Sequence, residues 1–472
     1  MSKEDDVKKT WEKMISRREF LRAIGLTGAA VAGASILDAC APAATPTVPP
    51  AAAAPTTAAA TSVPKPFKGT KLRILLEDAQ PHQYIKEHLN EFTDLTGIEV
   101  TADLVAWPNL LTQSQVELSS ASGTYDVMTM VYINAIRWMR AGWVSPLDDY
   151  VSKSGFDTSD FLSQTTGAMT YQGKLYGIPY TAESTQMTYR ADLLAAKNLA
   201  VPQTFDDLDK VLAAIHNPPQ FYAYVMRTQD TGVHFPFPIW LQGYGGNIFR
   251  DPPNDVTPTL NTPEAIQATT DFTSKIMKYS IAGGQVYDTP DCQAAIEQGK
   301  AGIWIDALGL TPPLFDPKTS TVADKLQIAL VPGGPAGQFP QIASHGYMIP
   351  VAAKNKDASW ELIKWMASKN ITIQYTISTN FSAIARSSVL SSAAYGQKYN
   401  KGESKIGDLI VAAINKSKCA YRQIPEFPEV GKRVGDAIDQ IISGQMSVKD
   451  AMDSAQKDAV QIMIQAGEKI TP

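Results

Sequence analysis

Two α/β lobes are the fold that this chain predicts, on three observations. Strand and helix signals alternate from Lys71 to the end of the chain. Roughly 400 residues take part, more than a single hydrophobic core usually holds. The α and β units are evenly mixed rather than segregated, which suits parallel sheets wound with helices and two lobes better than one large sheet.

The elements follow in order. Leu72-Arg73-Ile74-Leu75-Leu76 reads as a buried strand. Ile85, Leu89, Phe92 and Thr96 keep a helical period, and Gly97 is placed to end that helix. Ile98 to Leu104 alternates as a second strand, a polar helix runs from about Pro108 to Gly123, and Tyr125 to Tyr132 reads as a third strand. Ile136, Met139 and Trp143 mark one face of the next helix. Thr204 is a good N-cap for a helix that buries Phe205, Leu208, Leu212 and Ile215. Thr262-Pro263 opens another, with Pro at the first helical position. Gln293 to Gly299 reads as the end of a short helix; Ala301 to Asp306 and Leu326 to Val331 predict strands. Asp357 to Ser368 is helical, with Trp360 and Trp365 assigned to the core. Val430, Val434, Ile438 and Ile441 share a late helix face, and Ser447 caps the last helix.

The first forty residues carry an address. Ser16-Arg17-Arg18-Glu19-Phe20-Leu21-Arg22 precedes an Ala/Gly-rich apolar run and Leu37-Asp38-Ala39-Cys40. The arginine pair resembles the signal read by the bacterial twin-arginine exporter. The Leu-x-Ala-Cys ending resembles a lipobox, so residues 1–39 are expected to be a signal peptide and Cys40 a lipidated first residue. Asp38 departs from the small residue usual there. Residues 41–64 carry no charge, and 21 of the 24 are Ala, Pro or Thr. With so little apolar bulk, residues 40–66 are expected to form a disordered tether.

Beyond residue 39 there are 35 basic and 41 acidic side chains, dispersed along the chain. That balance argues against nucleic acid as a partner. Cys292 and Cys419 are the remaining cysteines. Spacing alone does not settle their state: an oxidising compartment would let them pair, and their apolar contexts suit two buried free thiols, the expectation adopted. His82, His88, His216, His234 and His345 show no ligand spacing, so no metal and no cofactor is expected. Nucleophile elbow, Walker loop, dinucleotide fingerprint and zincin motif are all missing. Gly243-Tyr244-Gly245-Gly246 has the wrong spacing for a phosphate cradle and reads as a turn.

Aromatic and amide groups stand instead where strands end. Trp107 follows strand two, Tyr132 and Asn134 follow strand three, and Trp240 and Tyr244 flank a Gly-rich turn. Trp304 and Asp306 close a strand, and His345-Gly346-Tyr347 opens another. Ligands of open α/β sheets bind outside the carboxyl ends of strands. Flat rings beside amides and carboxylates suit a polyhydroxylated ligand, whose C–H faces lie on rings and whose hydroxyls meet polar groups. Core filling is the competing role for each Trp.

The chain also resembles family 1 of the extracellular solute-binding proteins of ABC importers, the maltose-binding-protein-like family. The resemblance spans residues 70 to about 465. It rests on an ordered set: Gly97-Ile98-Glu99-Val100, Gly123-Thr124-Tyr125-Asp126-Val127, Ala141-Gly142-Trp143-Val144-Ser145-Pro146-Leu147 and Gly173-Lys174-Leu175-Tyr176-Gly177-Ile178-Pro179. Tyr189-Arg190-Ala191-Asp192-Leu193-Leu194, Gly299-Lys300-Ala301-Gly302 and His345-Gly346-Tyr347-Met348-Ile349-Pro350 continue it. It implies a type II periplasmic-binding-protein fold, with residues 67–182 and 345–382 in lobe 1 and residues 183–344 and 383–472 in lobe 2. Crossings are implied near Pro179–Ser184, Ser344–Met348 and Phe381–Ala385. Glu183 matches a cleft carboxylate of the sugar binders, and Asn134 falls where the maltose binder has an arginine. The loop from Glu77 through Gln80 to His82 matches the first ligand loop, and Tyr421-Arg422-Gln423 a late segment near the cleft.

The resemblance therefore implies a monomeric binding protein that takes a sugar or polyol between its lobes and delivers it to a membrane permease. Its expected place is the outer face of the cytoplasmic membrane, held by lipid. Two other readings remain open at this point: an exported carbohydrate hydrolase with a carboxylate pair, and the same fold binding a polyamine, peptide or anion.

Overall fold

The computed structural model describes residues 65–228, 235–281, 287–400 and 405–471; the expected signal, tether and Cys40 lie outside them. Buried alternation at Leu72, Ile74 and Leu76 makes β1 (Lys71–Glu77) a central strand. It pairs in parallel with β2 (Glu99–Val105) and β3 (Val127–Met130). Between them lie helices α1 (Gln80–Glu87), α2 (Leu89–Thr96) and α3 (Trp107–Ser120). The single helix expected from Ile85 to Thr96 is interrupted at His88, whose Nδ1 bonds to the Tyr84 carbonyl at 2.7 Å and whose ring stacks on Tyr84. The third strand is also shorter than expected: it stops at Met130, and Tyr132 opens helix α4 (Tyr132–Arg140).

The first sheet is completed by β4 (Ile178–Pro179), in the order β2, β1, β3, a late antiparallel strand, β4. The chain then enters a second sheet. It comprises β5 (Glu183–Arg190), β6 (Tyr222–Val225), β7 (Ala301–Ala307) and β8 (Leu326–Leu330). Their order is β8, β5, β7, β6, with β9 (Ile342–Ala343) also paired to β5. The late strand of the first sheet is β10 (Gly346–Met348). Helix N-caps fall as the sequence indicates. Thr204, Thr262 and Ser447 each accept the backbone N–H three residues on, at Asp207, Ala265 and Asp450. The short helix before β7 starts at Thr289, where Asp288 and Asp291 form a reciprocal capping box, and ends at Glu297.

Three segments cross side by side between the sheets. The Tyr180 N–H donates to the His345 carbonyl at 2.9 Å, Ala182 N–H to the Ala383 carbonyl at 3.0 Å, and Thr181 bridges Ile384. Beyond the third crossing the expected boundary at residue 383 needs correction. Arg386 turns the chain back onto the first lobe, bonding Asp160 and the Ala367 carbonyl, each at 2.7 Å. Val389, Tyr395 and Tyr399 consequently pack in the core that holds Ile74 and Trp360. The second core recovers the chain from Tyr421 onward, with Phe427, Val430, Val434 and Ile438 buried. Each such side chain contributes about 1.5–3 kcal/mol by burial. Trp365, in contrast to Trp360, is only partly buried against its core. Cys292 is buried, Cys419 is half-buried, and both are free.

Candidate functional site

The carboxyl ends of β1, β2 and β3 bring Glu77, Trp107 and Tyr132 to one edge of the first lobe. His345, on a crossing segment, sits among them. Its Nδ1 lies 2.9 Å from Glu77 Oε2. Its ring stacks on Trp107 at 5.2 Å and on Tyr132 at 5.6 Å between centroids. Tyr180 donates its hydroxyl to the same Glu77 oxygen at 2.8 Å. Burial pushes the Glu77 carboxyl up, but the attraction and hydrogen bond of His345, with help from His82 and Tyr180, outweigh it and hold the group near 2.

Across the cleft stand Arg422, Arg227, Asp306 and Glu183. The Arg422 guanidinium lies over the rings of Tyr132 and Phe235, each at 5.1 Å, and over Tyr421 at 5.3 Å. Arg227 reaches Asp306 Oδ1 at 2.6 Å, and Asp306 also accepts the Ala307 N–H at 2.7 Å. Glu183 Oε2 accepts the Gly309 N–H at 3.0 Å. Burial pushes the Tyr132 hydroxyl up from its ordinary value, with Arg422 and Arg227 pulling it down and Asp306 and Glu183 adding to the rise. Next to this cluster, and sharing Tyr132 and Arg422 with it, opens a cleft of about 760 Å³ lined by Gln164 from one lobe and by Gln242, Phe339 and Lys418 from the other. Asp306 Oδ2, Arg227 Nε and all three Arg422 guanidinium nitrogens are buried without a hydrogen-bond partner. Buried polar atoms left so are costly, about 1–3 kcal/mol each.

Of the residues expected in the site, Trp107, Tyr132, Glu183, Asp306, His345 and Arg422 come together here. The others do not. Trp240 is wholly buried in the second core, its ring 4.9 Å from Phe205 and nearly parallel to it, with Nε1 donating to Asp271. Tyr244 packs on the same Phe205. Trp304 is buried with Val225, Cys292 and Ile296, because its register on β7 turns it toward the helix at Thr289–Glu297. His82 and Tyr347 are fully buried around Tyr180, behind the cleft wall. Gly346 serves packing: a Cβ there would meet Met169 Sδ at 2.9 Å and the Ile178 carbonyl at 3.0 Å. Gln80 is exposed and accepts the Asn380 N–H. Asn134 lies two residues beyond Tyr132 on α4, about 200° around the helix from it. Glu77 was expected only as the start of a loop, and Tyr180, Arg227 and Phe235 were not expected at all. Arg227, a lone cation just past a buried strand, was the one sequence signal available. Among the described residues no group of three His, Cys, Asp or Glu side chains is gathered for a metal ion.

Glu183 makes the site sensitive to pH. Burial raises its carboxyl to about 7 against an ordinary 4.5, with the Gly309 N–H and His345 pulling the other way. Between those values the folded protein holds a proton that the unfolded chain has released. This contribution is complete below 4.5 and is lost as pH rises to 7. Glu77, held low, and His82, held near 4 by burial, act in the opposite sense, losing stability as pH falls. Glu183→Gln should therefore gain on the parent between pH 5 and pH 8, by at most about 3 kcal/mol. Melting of the two ligand-free proteins at both pH values measures this. A difference that does not move with pH would mean that Glu183 does not titrate in that range.

Residues 78–371 match the model of the bacterial extracellular solute-binding proteins, and the chain belongs to that family. A mannitol-binding protein of Pseudomonas aeruginosa is 23% identical over 74% of this chain and 83% of its own. An erythritol/L-threitol-binding protein of Mycolicibacterium smegmatis is 23% identical over 76% of this chain and 78% of its own. Among solved structures, an ABC transporter solute-binding protein of Agrobacterium radiobacter in complex with ribitol superposes with a TM-score of 0.75 at 23% identity, covering 84% of this chain and 100% of that one. The fold is thus the two-lobed one of periplasmic solute-binding proteins, and the protein is an exported binding protein rather than an enzyme. Among the described residues no helix is long and apolar enough to cross a membrane.

Proposed function

We propose that this protein closes on a sugar or polyol between its two lobes and hands it to the permease of an ABC importer. One observation carries the reading. Stacked rings at Trp107, His345 and Tyr132 face buried polar groups on Asp306, Arg227 and Arg422 that lack protein partners. Rings take the C–H faces of a polyhydroxylated ligand and the unpartnered atoms take its hydroxyls. The mannitol, erythritol/L-threitol and ribitol named for its relatives favour an acyclic polyol among such ligands. The hydrolase alternative has no support in these relatives. A panel of alditols and sugars in thermal melting tests the proposal: a ligand at a hundred times its Kd adds about 2.7 kcal/mol to the native state. No rise with any of them, and no heat of binding, would remove it.

The proposal extends to place. A mature chain beginning at Cys40, carrying lipid and working as a monomer on the outer face of the cytoplasmic membrane, accounts for the twin arginine, the Leu-x-Ala-Cys ending and the uncharged tether. Cys40→Ser is expected to release the body from the membrane fraction or to block processing. A variant that fractionates and migrates like the parent would count against the anchor.

A further inference from the structure

Among the described residues Arg422 presents a charge that no carboxylate neutralises. The residue is only 7% exposed, and among the described residues its three guanidinium nitrogens have no carboxylate partner, only the neutral Tyr421 hydroxyl close by. Three ring faces, Tyr132, Phe235 and Tyr421, fix the plane of the guanidinium without discharging it. The described acids of the cluster are committed elsewhere: Asp306 to Arg227, Glu77 to His345, and Glu183 to the Gly309 N–H. A buried, unpaired cation is expensive, and a protein that keeps one has a use for it when an anion arrives.

We infer that the ligand is a polyhydroxylated carboxylate, of the aldonate or uronate class, whose carboxylate is received by Arg422. This rests on the receptor reading above and narrows its ligand. A planar guanidinium with its fork free matches a carboxylate with two parallel N–H···O bonds. One such cation suits a monoanion. A phosphate monoester brings close to two charges, and of the other cations lining the cleft Lys418 is exposed with its ammonium over Phe339 while Arg250 is paired with Asp255. Asp306 Oδ2 and Arg227 Nε are left for hydroxyls along the carbon chain.

The test uses pairs that differ at one carbon: D-gluconate against D-sorbitol, D-mannonate against D-mannitol, and D-ribonate against ribitol, with sorbitol 6-phosphate alongside. Calorimetry on the folded body is expected to give at least one aldonate about tenfold or more tighter than its alditol. That advantage should shrink from 20 to 500 mM salt and vanish in Arg422→Gln. If every alditol binds as well as its aldonate, or if the phosphate binds tightest, the carboxylate inference falls and the receptor reading stands. An aldonate preference retained by Arg422→Gln overturns the assignment to this residue. If no member of any pair binds, the inference and the reading beneath it both fail.

Discussion

Trp240→Ala is expected to cost the second lobe about 3–5 kcal/mol, the loss typical of a buried aromatic truncated to a methyl group. The ring is wholly enclosed, nearly parallel to Phe205 and edge-on to Phe272 at 5.0 Å. Its removal also leaves Asp271 without the indole donor, although Lys275 still bonds that carboxylate. Since no part of Trp240 reaches the cleft, ligand affinity of the molecules still folded should match the parent. Trp240→Phe keeps most of the stacking and should lose less. Denaturant unfolding beside calorimetry separates the two roles. A variant that unfolds like the parent but binds weakly would return Trp240 to the binding site and undo the correction made above.

Tyr132→Ala should have the opposite signature. The ring lies between His345 at 5.6 Å and Arg422 at 5.1 Å, so it joins the stacked wall of one lobe to the cation of the other. Removing it strips apolar cover worth about 1–3 kcal/mol from the ligand, roughly a five- to hundredfold loss of affinity. Part of the loss acts through closure, because a ligand stabilises the closed form by touching both lobes. Tyr132→Phe keeps the ring and should bind nearly as well. Titration of the wild type and both variants with the same alditol decides it. Equal affinity in Tyr132→Ala would place the ligand elsewhere in the cleft.

Much of the architecture was legible because it is local. The N-caps at Thr204, Thr262 and Ser447 need only a hydroxyl and the N–H three residues on, and all three form. The apolar period of Val430, Val434, Ile438 and Ile441 states which face of a helix must be buried, whatever it packs against. The site was harder, because a tryptophan looks alike in sequence whether it fills a core or floors a binding site. Trp107 and Trp304 both stand at the ends of strands. Trp107 reaches the cleft because β2 ends at the rim of its sheet. Trp304 is buried because its partners on neighbouring strands, Thr188 and Val225, turn it under a helix.

The same division runs through the whole molecule. The sequence alone determined the exported two-lobed class and the order of strands and helices, because export signals, capping and periodicity act between residues close along the chain; strand ends pointed to Trp107, Tyr132, Asp306 and His345 of the cluster beside the cleft, and the family resemblance to Glu183 and Arg422. Only the tertiary structure decided that Arg386 returns the chain to the first lobe, that Glu77 pairs with His345, and that Arg422 meets no carboxylate among the described residues. Those outcomes depend on contacts between residues far apart in the chain, and on which buried charges find a partner when two sheets and three crossing segments come together.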